Sequence, residues 1–265
     1  MRTVVVTGSA SGIGAATKQR LERQGERVIG VDVRAADVQA DLSTEAGRRE
    51  AIARVEALCG GVLDGLVTCA GLMGLPGRPG RILAELNYYG SIRFLEAARP
   101  WLARGSRPAA VAISSNSTTT MPDLPVELTR LLLEGDPSEA VALADKVGSP
   151  AAYPATKLAI AHWVRRNAPR PEWAGAGITL NAVAPGKTET GMLAEGRADA
   201  TYGPLIDSFP VPVGRSADPS ELAALIGFLL SADARFLCGS VVFCDGGTDA
   251  QIRADAFPSP LPTRR

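Results

Sequence analysis

The sequence predicts an α/β fold: one domain built on a doubly wound sheet of seven parallel strands, with helices on both faces. Short runs rich in apolar and β-branched residues alternate with stretches of helical periodicity from end to end of the chain. A glycine-rich turn joins the first strand-like run to the first helix, and the length of 265 residues suits a single domain of this class.

The predicted strands are short apolar runs, many of them rich in valine and isoleucine. They cover 3–7, 27–32, a short run near Val38, 65–69, 109–114, 177–184 and 240–244. The stretches between them place apolar residues three or four positions apart, which is typical of helices packed on a sheet. These predicted helices cover 13–24, 44–58, 81–102, 151–167 and 219–230.

One segment, 116–150, interrupts the alternation, because a strand and a helix of such a fold need only a short connection. Its residues predict a helical insertion. The sequence DPSE at 136–139 has the N-cap, first-turn proline and acidic residue of a helix start, and Gly148 ends that helix. The same four residues recur at 218–221, where the alternation independently requires a helix. A second short helix is predicted over 125–133.

Residues 1–255 are therefore predicted to form one domain, followed by an extended, proline-rich C-terminal tail at 256–265. Within the domain, 186–215 is rich in glycine and proline and carries scattered apolar residues. This composition suits a mobile lid loop over an apolar ligand, with a plain surface loop as the alternative.

Charge and hydropathy restrict the partners. The balance of 28 basic and 28 acidic residues argues against a nucleic-acid or polyanion partner, so we expect a small ligand. No apolar stretch is long enough to cross a bilayer, and the first strand follows Met1 and Arg2 directly, without room for a signal peptide. We expect no membrane partner and a cytoplasmic location.

The sequence predicts no metal site. The cysteines lack the close pairs of a metal or redox motif, so we interpret them as buried apolar side chains. His162 has no second histidine with which to share a metal or a proton relay. The four cysteines are Cys59, Cys69, Cys238 and Cys244.

The glycine turn has the features of a phosphate site. Gly8, Gly12 and Gly14 lie between a strand and the N-terminus of a helix, where backbone N–H groups and the helix dipole favour an anion. Asp32, at the end of the second strand, is at the distance expected for a carboxylate that binds both hydroxyls of an adenosine ribose. That carboxylate would repel a 2′-phosphate, which favours NAD over NADP, although Arg34 could accommodate one. Tight packing alone is the alternative for the turn.

Tyr153 and Lys157, in the sequence YPATK, lie one helical turn apart and share a face. A phenol has a pKa of about 10, which is too high for an efficient base near neutral pH. A nearby ammonium favours the phenolate and lowers that pKa. The pair therefore predicts an acid/base group, the alternative being an exposed tyrosine beside a solvated lysine.

Three further polar residues are candidates for the same site. Ser114 and Ser115 follow the strand at 109–114, and ligands of a parallel sheet lie beyond the C-terminal ends of its strands. Asn87 lies within a largely apolar helix, where an asparagine is unfavourable unless it satisfies a buried group. Strand termination and a core amide are the respective alternatives.

The segment after the sixth strand offers hydroxyl groups to a ligand. Pro185 and Gly186 are expected to break that strand, and Thr188 and Thr190 follow at its C-terminal end. These hydroxyls are placed where a carboxamide could be held.

These motifs in this order resemble the short-chain dehydrogenase/reductase family, in its single-domain branch, over nearly the whole chain. The matching positions are TGxxxGxG at 7–14, Asp32, Asp41 in ADLS, CAG at 69–71, Asn87, Ser115, YxxxK at 153–157, Asn181, PGxxxT at 185–190 and DGG at 245–247.

The resemblance implies a Rossmann-type, seven-stranded sheet that binds NAD(H), and hydride exchange between the nicotinamide and a secondary alcohol or ketone. It implies that Tyr153 is the general acid/base, that Lys157 binds the nicotinamide ribose, that Ser115 holds the substrate oxygen and that Asn87 supports a water in the proton path. The cofactor-binding positions that it implies are Gly8, Ser11, Gly12, Ile13, Gly14, Asp32, Asp41, Leu42, Ala70, Gly71, Tyr153, Lys157, Pro185, Gly186, Thr188 and Thr190.

Two departures from the family pattern are informative. Cys69 stands where the family usually has asparagine, which removes a polar anchor on the adenosine side. The insertion at 116–150 resembles the bacterial 3α-hydroxysteroid dehydrogenase/carbonyl reductase subgroup, which implies a homodimer through a face that the insertion leaves free. A 3α-hydroxysteroid is the single best substrate hypothesis. A smaller secondary alcohol, a cyclic diol or an aromatic carbonyl is the alternative, and a non-catalytic NAD sensor is a third.

Overall fold

A sheet of seven parallel strands forms the centre of the computed structural model, which describes residues 1–260. The strand order is β3-β2-β1-β4-β5-β6-β7, so the chain reverses its direction of winding between β1 and β4. Ligands of such sheets bind at this reversal, beyond the C-terminal ends of the strands. The strands are β1 (Thr3–Thr7), β2 (Arg27–Asp32), β3 (Val38–Gln39), β4 (Gly65–Thr68), β5 (Ala109–Ile113), β6 (Thr179–Pro185) and β7 (Val241–Cys244).

Helices cover both faces of the sheet, and the described residues contain α1 (Gly12–Arg23), α2 (Glu45–Cys59), α3 (Gly80–Ile82), α4 (Gly90–Leu102), α5 (Ser117–Thr120), α6 (Val126–Glu134), α7 (Pro137–Val147), α8 (Ser149–Asn167), α9 (Gly191–Ala198), α10 (Tyr202–Ser208), α11 (Pro219–Leu229) and α12 (Thr248–Ile252). The predicted doubly wound, seven-stranded α/β fold is confirmed.

The strands are apolar on both sides because each face carries its own core. Val5 packs into the core under α2, α4 and α8, whereas Val4 and Val6 pack into the core under α1 and α11. This alternation follows from the two-residue period of a strand. It explains why β1 reads as a continuous valine run rather than as alternating polar and apolar residues.

The two DPSE sequences both start helices. Asp136 accepts hydrogen bonds from the backbone N–H groups of Ser138 and Glu139 at the start of α7. Asp218 forms a complete capping box with Glu221 at the start of α11. Gly148 follows the last residue of α7, and α6 lies within one residue of its predicted bounds. The helical insertion is therefore read correctly from its capping residues.

The predicted helix at 81–102 differs in its interior. The chain is helical from Gly80 to Leu102, but Leu83–Tyr89 forms a π-helical segment between α3 and α4. A π-helical segment changes the period for only a few residues, so apolar spacing cannot reveal it. It places Asn87 in a widened turn, and such turns often occur at functional sites.

The segment 186–215, predicted as a loop, contains the two short helices α9 and α10. Thr190 caps α9 by accepting a hydrogen bond from the Leu193 N–H group. Arg197 of α9 forms ion pairs with Glu189 and with Asp207 of α10, which holds the two helices together. Glycine and proline residues scattered through this segment favour the prediction of a loop, and helices of only two turns are too short to outweigh them.

Other expectations need smaller corrections. Pro185 was expected to break a strand but is the last residue of β6, where its carbonyl accepts a hydrogen bond from the Asn116 N–H group at 3.0 Å. Cys238 is exposed, because it lies in the turn before β7, and the other cysteines are partly buried. Of the predicted tail, 261–265 lies outside the described residues, and the boundary at 255 stays a prediction.

Residues 1–260 contain neither a membrane-spanning helix nor a cluster of metal-binding side chains. None of the helices there is long and apolar enough to span a membrane. Within the same range, no group of three histidine, cysteine or acidic side chains is arranged to hold a metal ion.

The core makes a test of the fold possible. Phe94 in α4 is fully buried, so Phe94→Ala is expected to lower the free energy of unfolding by about 3–5 kcal/mol through a cavity under β4 and β5. Urea unfolding of the two proteins measures the loss. Phe236→Ala removes the same ring from a fully exposed position and should change stability by less than about 0.5 kcal/mol. Equal losses in the two variants would contradict this packing.

Candidate active site

The glycine turn packs so closely that side chains have no room. Gly8 has φ +67°, and a Cβ atom there would lie 2.8 Å from the Ala70 nitrogen. A Cβ atom on Gly14 would lie 2.1 Å from the Gly8 carbonyl oxygen. Gly12, with φ +53°, faces the Thr190 methyl group at 3.2 Å from its own Cβ position. The turn therefore brings the end of β4 and the start of the 186–215 segment to the N-terminus of α1.

That N-terminus is suited to an anion. Ser11 is the N-cap of α1, with an extended backbone, and its side chain makes no capping hydrogen bond to the helix. The first N–H groups of a helix carry partial positive charge and need external acceptors. The partly buried Ile13 follows in the first turn. A cradle without Cβ atoms at a helix N-terminus fits the diphosphate of a dinucleotide.

Asp32 stands beside this cradle at the end of β2. Its Oδ2 atom accepts a hydrogen bond from the Ala10 N–H group at 3.0 Å, and its Oδ1 atom accepts one from the Arg34 N–H group at 3.1 Å. Each carboxylate oxygen keeps a further lone pair. The carboxylate is therefore fixed in orientation while it retains capacity for two hydroxyl groups.

The turn at Asp41 and Leu42 lies at the same end of the sheet, because the Ala40 N–H group donates to the Asp32 carbonyl at 2.9 Å. Asp41 Oδ1 accepts hydrogen bonds from the N–H group and the hydroxyl of Ser43, at 2.8 and 2.7 Å. Leu42 is buried. These two positions close the side of the cradle beyond Asp32.

Lys157 joins α8 to the end of β5. Its ammonium is 5% exposed and donates to the Ile113 carbonyl at 3.0 Å, while the Ser114 hydroxyl donates back to the Lys157 carbonyl at 2.9 Å. The ammonium lies 6.0 Å from the centre of the Tyr153 ring. Two hydrogen bonds thus hold Lys157, and with it this face of α8, against the end of β5.

The two adjacent serines have different surroundings. The Ser114 hydroxyl donates its hydrogen bond to the Lys157 carbonyl. The Ser115 hydroxyl accepts a hydrogen bond from the Ser117 N–H group at 3.1 Å and is also hydrogen-bonded to Tyr153. The structure therefore brings Ser115, rather than Ser114, to the phenol.

Burial raises the pKa of Tyr153, and the hydrogen bond with Ser115 only partly opposes that rise. We expected the Lys157 ammonium to lower this pKa, and the structure of the chain alone contradicts that expectation. The physical reason is desolvation, which disfavours the phenolate more than the neighbouring groups favour it.

Burial also lowers the pKa of Lys157 to about 8. The Cys69 thiol lies near enough to influence this ammonium, and burial raises the pKa of Cys69 to about 12, so the thiol is neutral at pH 7. Cys69 therefore faces Lys157 as well as the glycine turn, where its Cβ atom lies 3.3 Å from the Cβ position of Gly14.

Asn87 is fully buried, and both ends of its amide group are hydrogen-bonded. Its Oδ1 atom accepts a hydrogen bond from the Leu72 N–H group at 2.8 Å, and its Nδ2 atom donates to the Leu72 carbonyl at 3.0 Å. Gly71 passes beside it, with its Cβ position 3.0 Å from Oδ1. The asparagine thus fixes the loop that follows β4 next to Lys157.

The hydroxyls after β6 are engaged within the chain. The Thr188 hydroxyl donates to the Gly186 carbonyl at 3.0 Å, and the Thr190 hydroxyl donates to the Thr188 carbonyl at 3.3 Å. A ligand amide could therefore donate to their oxygen atoms, not accept from them. Gly186 passes close to Asp245, because its Cβ position lies 2.6 Å from the Asp245 Cα atom.

Two other family-pattern residues have structural roles. Asn181 bridges the Leu237 carbonyl and the Ser240 N–H group at 2.8 and 3.0 Å. Asp245 accepts hydrogen bonds from the N–H groups of Gly247 and Asp249 and so starts α12. Asn181 joins the N-terminal ends of β6 and β7, at the opposite edge of the sheet from the site, whereas Asp245 directly follows the C-terminal end of β7.

Sequence reasoning missed Gly74, which lies against Tyr153, and Ser149, the first residue of α8, which accepts a hydrogen bond from the Leu75 N–H group. The available signal was the position of Ser149, one turn before Tyr153, together with a glycine at the end of the loop after β4.

Comparisons with known proteins were made for the whole chain. Residues 2–124 match the family model described as short chain dehydrogenase, and residues 140–249 match the model described as Enoyl-(Acyl carrier protein) reductase. A 3-alpha-hydroxysteroid dehydrogenase/carbonyl reductase of Comamonas testosteroni is 41% identical over 263 residues, which cover 97% of this chain and 100% of that protein. A cis-4-hydroxycyclohexanecarboxylate dehydrogenase of Sinomonas cyclohexanicum is 33% identical over 264 residues, covering 94% of this chain and 97% of that protein.

Among solved structures, the chain is similar to a 3-alpha-hydroxysteroid dehydrogenase from Pseudomonas sp. B-0831, crystallised in complex with NADH. The TM-score is 0.91 at 44% sequence identity, and the alignment covers 96% of this chain and 100% of that one.

Burial of Lys157 makes stability depend on pH. Because the folded-state pKa is lowered to about 8, the unfolded chain binds more protons than the folded chain between about pH 8 and 10. The free energy of unfolding of the natural protein, relative to Lys157→Met, is therefore expected to increase as the pH rises from about 7 to 10. Urea unfolding at several pH values measures this difference.

Lys146→Met provides the matched control, since Lys146 is exposed on α7. A difference between natural protein and Lys157→Met that stays constant over this pH range would contradict the desolvation of Lys157.

Proposed function

The chain belongs to the short-chain dehydrogenase/reductase family, and we propose on that basis that it is an NAD(H)-dependent oxidoreductase interconverting an apolar cyclic secondary alcohol, such as a 3α-hydroxysteroid, with its ketone. The observation that carries the proposal is the meeting of Ser115, Tyr153 and Lys157 at the end of β5, beside a glycine cradle. The family, fold and reaction class predicted from the sequence are confirmed.

The residues around the cradle would hold the cofactor. Backbone N–H groups at the start of α1 would bind the diphosphate, and Asp32 would bind the hydroxyls of the adenosine ribose. One N–H bond of the Lys157 ammonium donates to the Ile113 carbonyl. The other two could donate to the hydroxyls of the nicotinamide ribose. The oxygens of Thr188 and Thr190 would accept from the carboxamide.

Tyr153 would take the proton of the alcohol and return it in the reverse direction. The Ser115 hydroxyl, held at its other side by the Ser117 N–H group, would orient the substrate oxygen toward the phenol. Bound NAD supplies the hydride acceptor and, when oxidised, a positive charge that favours the phenolate. Lys157 places its ammonium 6.0 Å from the centre of the Tyr153 ring, on the same face of α8.

The substrate class follows from the relatives and from the composition of the lid. Both the Comamonas and the Pseudomonas relatives carry hydroxysteroid names, and the 186–215 segment has apolar side chains such as Leu193 and Ile206. A smaller cyclic alcohol is the second candidate, and the cyclohexane substrate named for the Sinomonas relative favours it. The intact set of Ser115, Tyr153 and Lys157 argues against a non-catalytic NAD sensor.

Two further proposals follow from the resemblance to the hydroxysteroid subgroup. We expect the chain to form a homodimer and to act in the cytoplasm. Its partner in the reaction is a small molecule.

Removal of the phenolic hydroxyl tests the mechanism. Tyr153→Phe is expected to lose at least about 100-fold in kcat, because the proton of the alcohol then has no acceptor. NADH binding, measured by fluorescence titration, should stay within a few-fold of the natural protein. Tyr89→Phe makes the same change in a buried ring outside the lid segment, whose hydroxyl forms no hydrogen bond within residues 1–260, and it should keep its turnover. Retained turnover in Tyr153→Phe would refute the role of the phenol.

A substrate panel tests the proposed reaction. Reduction of NAD, followed by nicotinamide absorbance, is measured with 3α- and 3β-hydroxysteroids, cyclic diols and small secondary alcohols, with NADP in parallel. We expect a preference for a 3α-hydroxysteroid with NAD, because Asp32 repels a 2′-phosphate. Activity confined to small alcohols would favour the second candidate, and no activity with any alcohol would contradict the proposal.

A further inference from the structure

Ser149, Tyr153 and Lys157 form a single stripe on α8. They are spaced four residues apart, so their side chains lie on one face of the helix. Ser149 is 1% exposed and begins the helix, and the reaction described above uses only the other two residues. A buried polar residue in line with the acid/base pair therefore calls for a physical explanation.

The loop after β4, residues 71–75, runs along this stripe in the opposite direction. The Leu75 N–H group donates to Ser149 Oγ at 3.2 Å. A Cβ atom on Gly74 would lie 2.9 Å from the Tyr153 Cβ atom, and one on Gly71 would lie 3.5 Å from Lys157 Nζ. Each member of the stripe thus faces one position of the loop.

The loop is held at both ends. Asn87 binds the N–H group and the carbonyl of Leu72 at one end, and Ser149 binds the Leu75 N–H group at the other. Between these points Gly74 presses on the helix so tightly that its Cβ position lies only 2.3 Å from the Ser149 carbonyl oxygen. These hydrogen bonds and close contacts hold the loop against the Tyr153 side chain.

The last helix of the insertion leads directly into Ser149 and fixes the position of this residue. Its helix α7 ends at Gly148, which has φ +82° and leads directly into Ser149. Near that end, Asp145 accepts a hydrogen bond from the Arg81 N–H group at 2.7 Å and pairs with the Arg81 guanidinium at 2.7 Å. A Cβ atom on Gly80 would overlap the Ala144 carbonyl oxygen, at 1.9 Å. The start of α3 and the start of α8 are therefore both docked on α7.

We propose that Ser149 is a positioning residue for catalysis: by holding the 71–75 loop against α8, it keeps the Tyr153 phenol in line with Ser115. This inference rests on the proposed function of Tyr153. Ser149 does not touch the reacting atoms, and it acts through Gly74 and the Tyr153 side chain. Small displacements of an acid/base group lower turnover more than they lower binding.

Ser149→Ala provides the test. It removes the acceptor of the Leu75 N–H group and leaves α8 with a good helix former. We expect kcat with the best alcohol to fall about 10-fold or more, with KM for NAD and the NADH dissociation constant unchanged within two-fold. Gly74→Ala should show the same split between kcat and NADH binding, because its new methyl group must push the loop from the Ser149 carbonyl.

Two matched controls carry the same chemical changes elsewhere. Ser231→Ala removes a hydroxyl that accepts a backbone N–H group at the same distance, 3.2 Å, and Gly175→Ala adds a methyl group that meets Pro171 at an ordinary 3.5 Å. Both are expected to keep the natural kcat. Thermal unfolding of all four variants separates stability from turnover.

The outcomes are distinguishable. A Ser149→Ala protein with a lowered melting temperature but natural kcat has lost only a structural contact, and this result would overturn the inference while leaving the proposed function intact. Natural protein that binds NADH but oxidises no alcohol would overturn the proposed function and the inference together. If Gly74→Ala fails to fold, the kcat of Ser149→Ala decides.

Discussion

The site depends on the two hydrogen bonds that join α8 to the end of β5. A buried ammonium donates to the Ile113 carbonyl, and the next residue, Ser114, returns a hydrogen bond to the backbone of Lys157. Burying this charge is costly, because only one protein acceptor replaces its water. The fold tolerates that cost at the C-terminal end of β5, and the arrangement leaves the remaining ammonium N–H bonds for a ligand.

Much of this architecture is readable from local sequence. The continuous valine run of β1 indicates a strand buried on both sides, and the DPSE sequences mark two helix starts by the chemistry of capping alone. Tyr153 and Lys157 could be paired because a helix brings residues four apart together. Local sequence places Ser114 and Ser115 at the site without distinguishing them, because the choice depends on which side of the strand faces α8, and only the resemblance to the family selects Ser115.

The rest depends on contacts between distant segments. The π-helical turn around Asn87 leaves no trace in apolar spacing, and the capping of α9 by Thr190 is local but hidden among glycines and prolines. The raised pKa of Tyr153 is a property of burial, which sequence neighbours do not reveal. Ser149 was missed for the same reason, since its partner Leu75 lies 74 residues away in the chain.

The docking of α7 on α3 has a consequence for redesign of the molecule. Leu128, Leu132, Ala140 and Ala144 of the insertion are buried in the same core as the strands, and Gly80 has room for no side chain against Ala144. The 116–150 segment is therefore an integral part of the domain, because its buried side chains belong to the core that the strands share. Grafting it onto a shorter scaffold would require transfer of the 71–75 loop and of α3, so the smallest transplantable unit comprises all three segments.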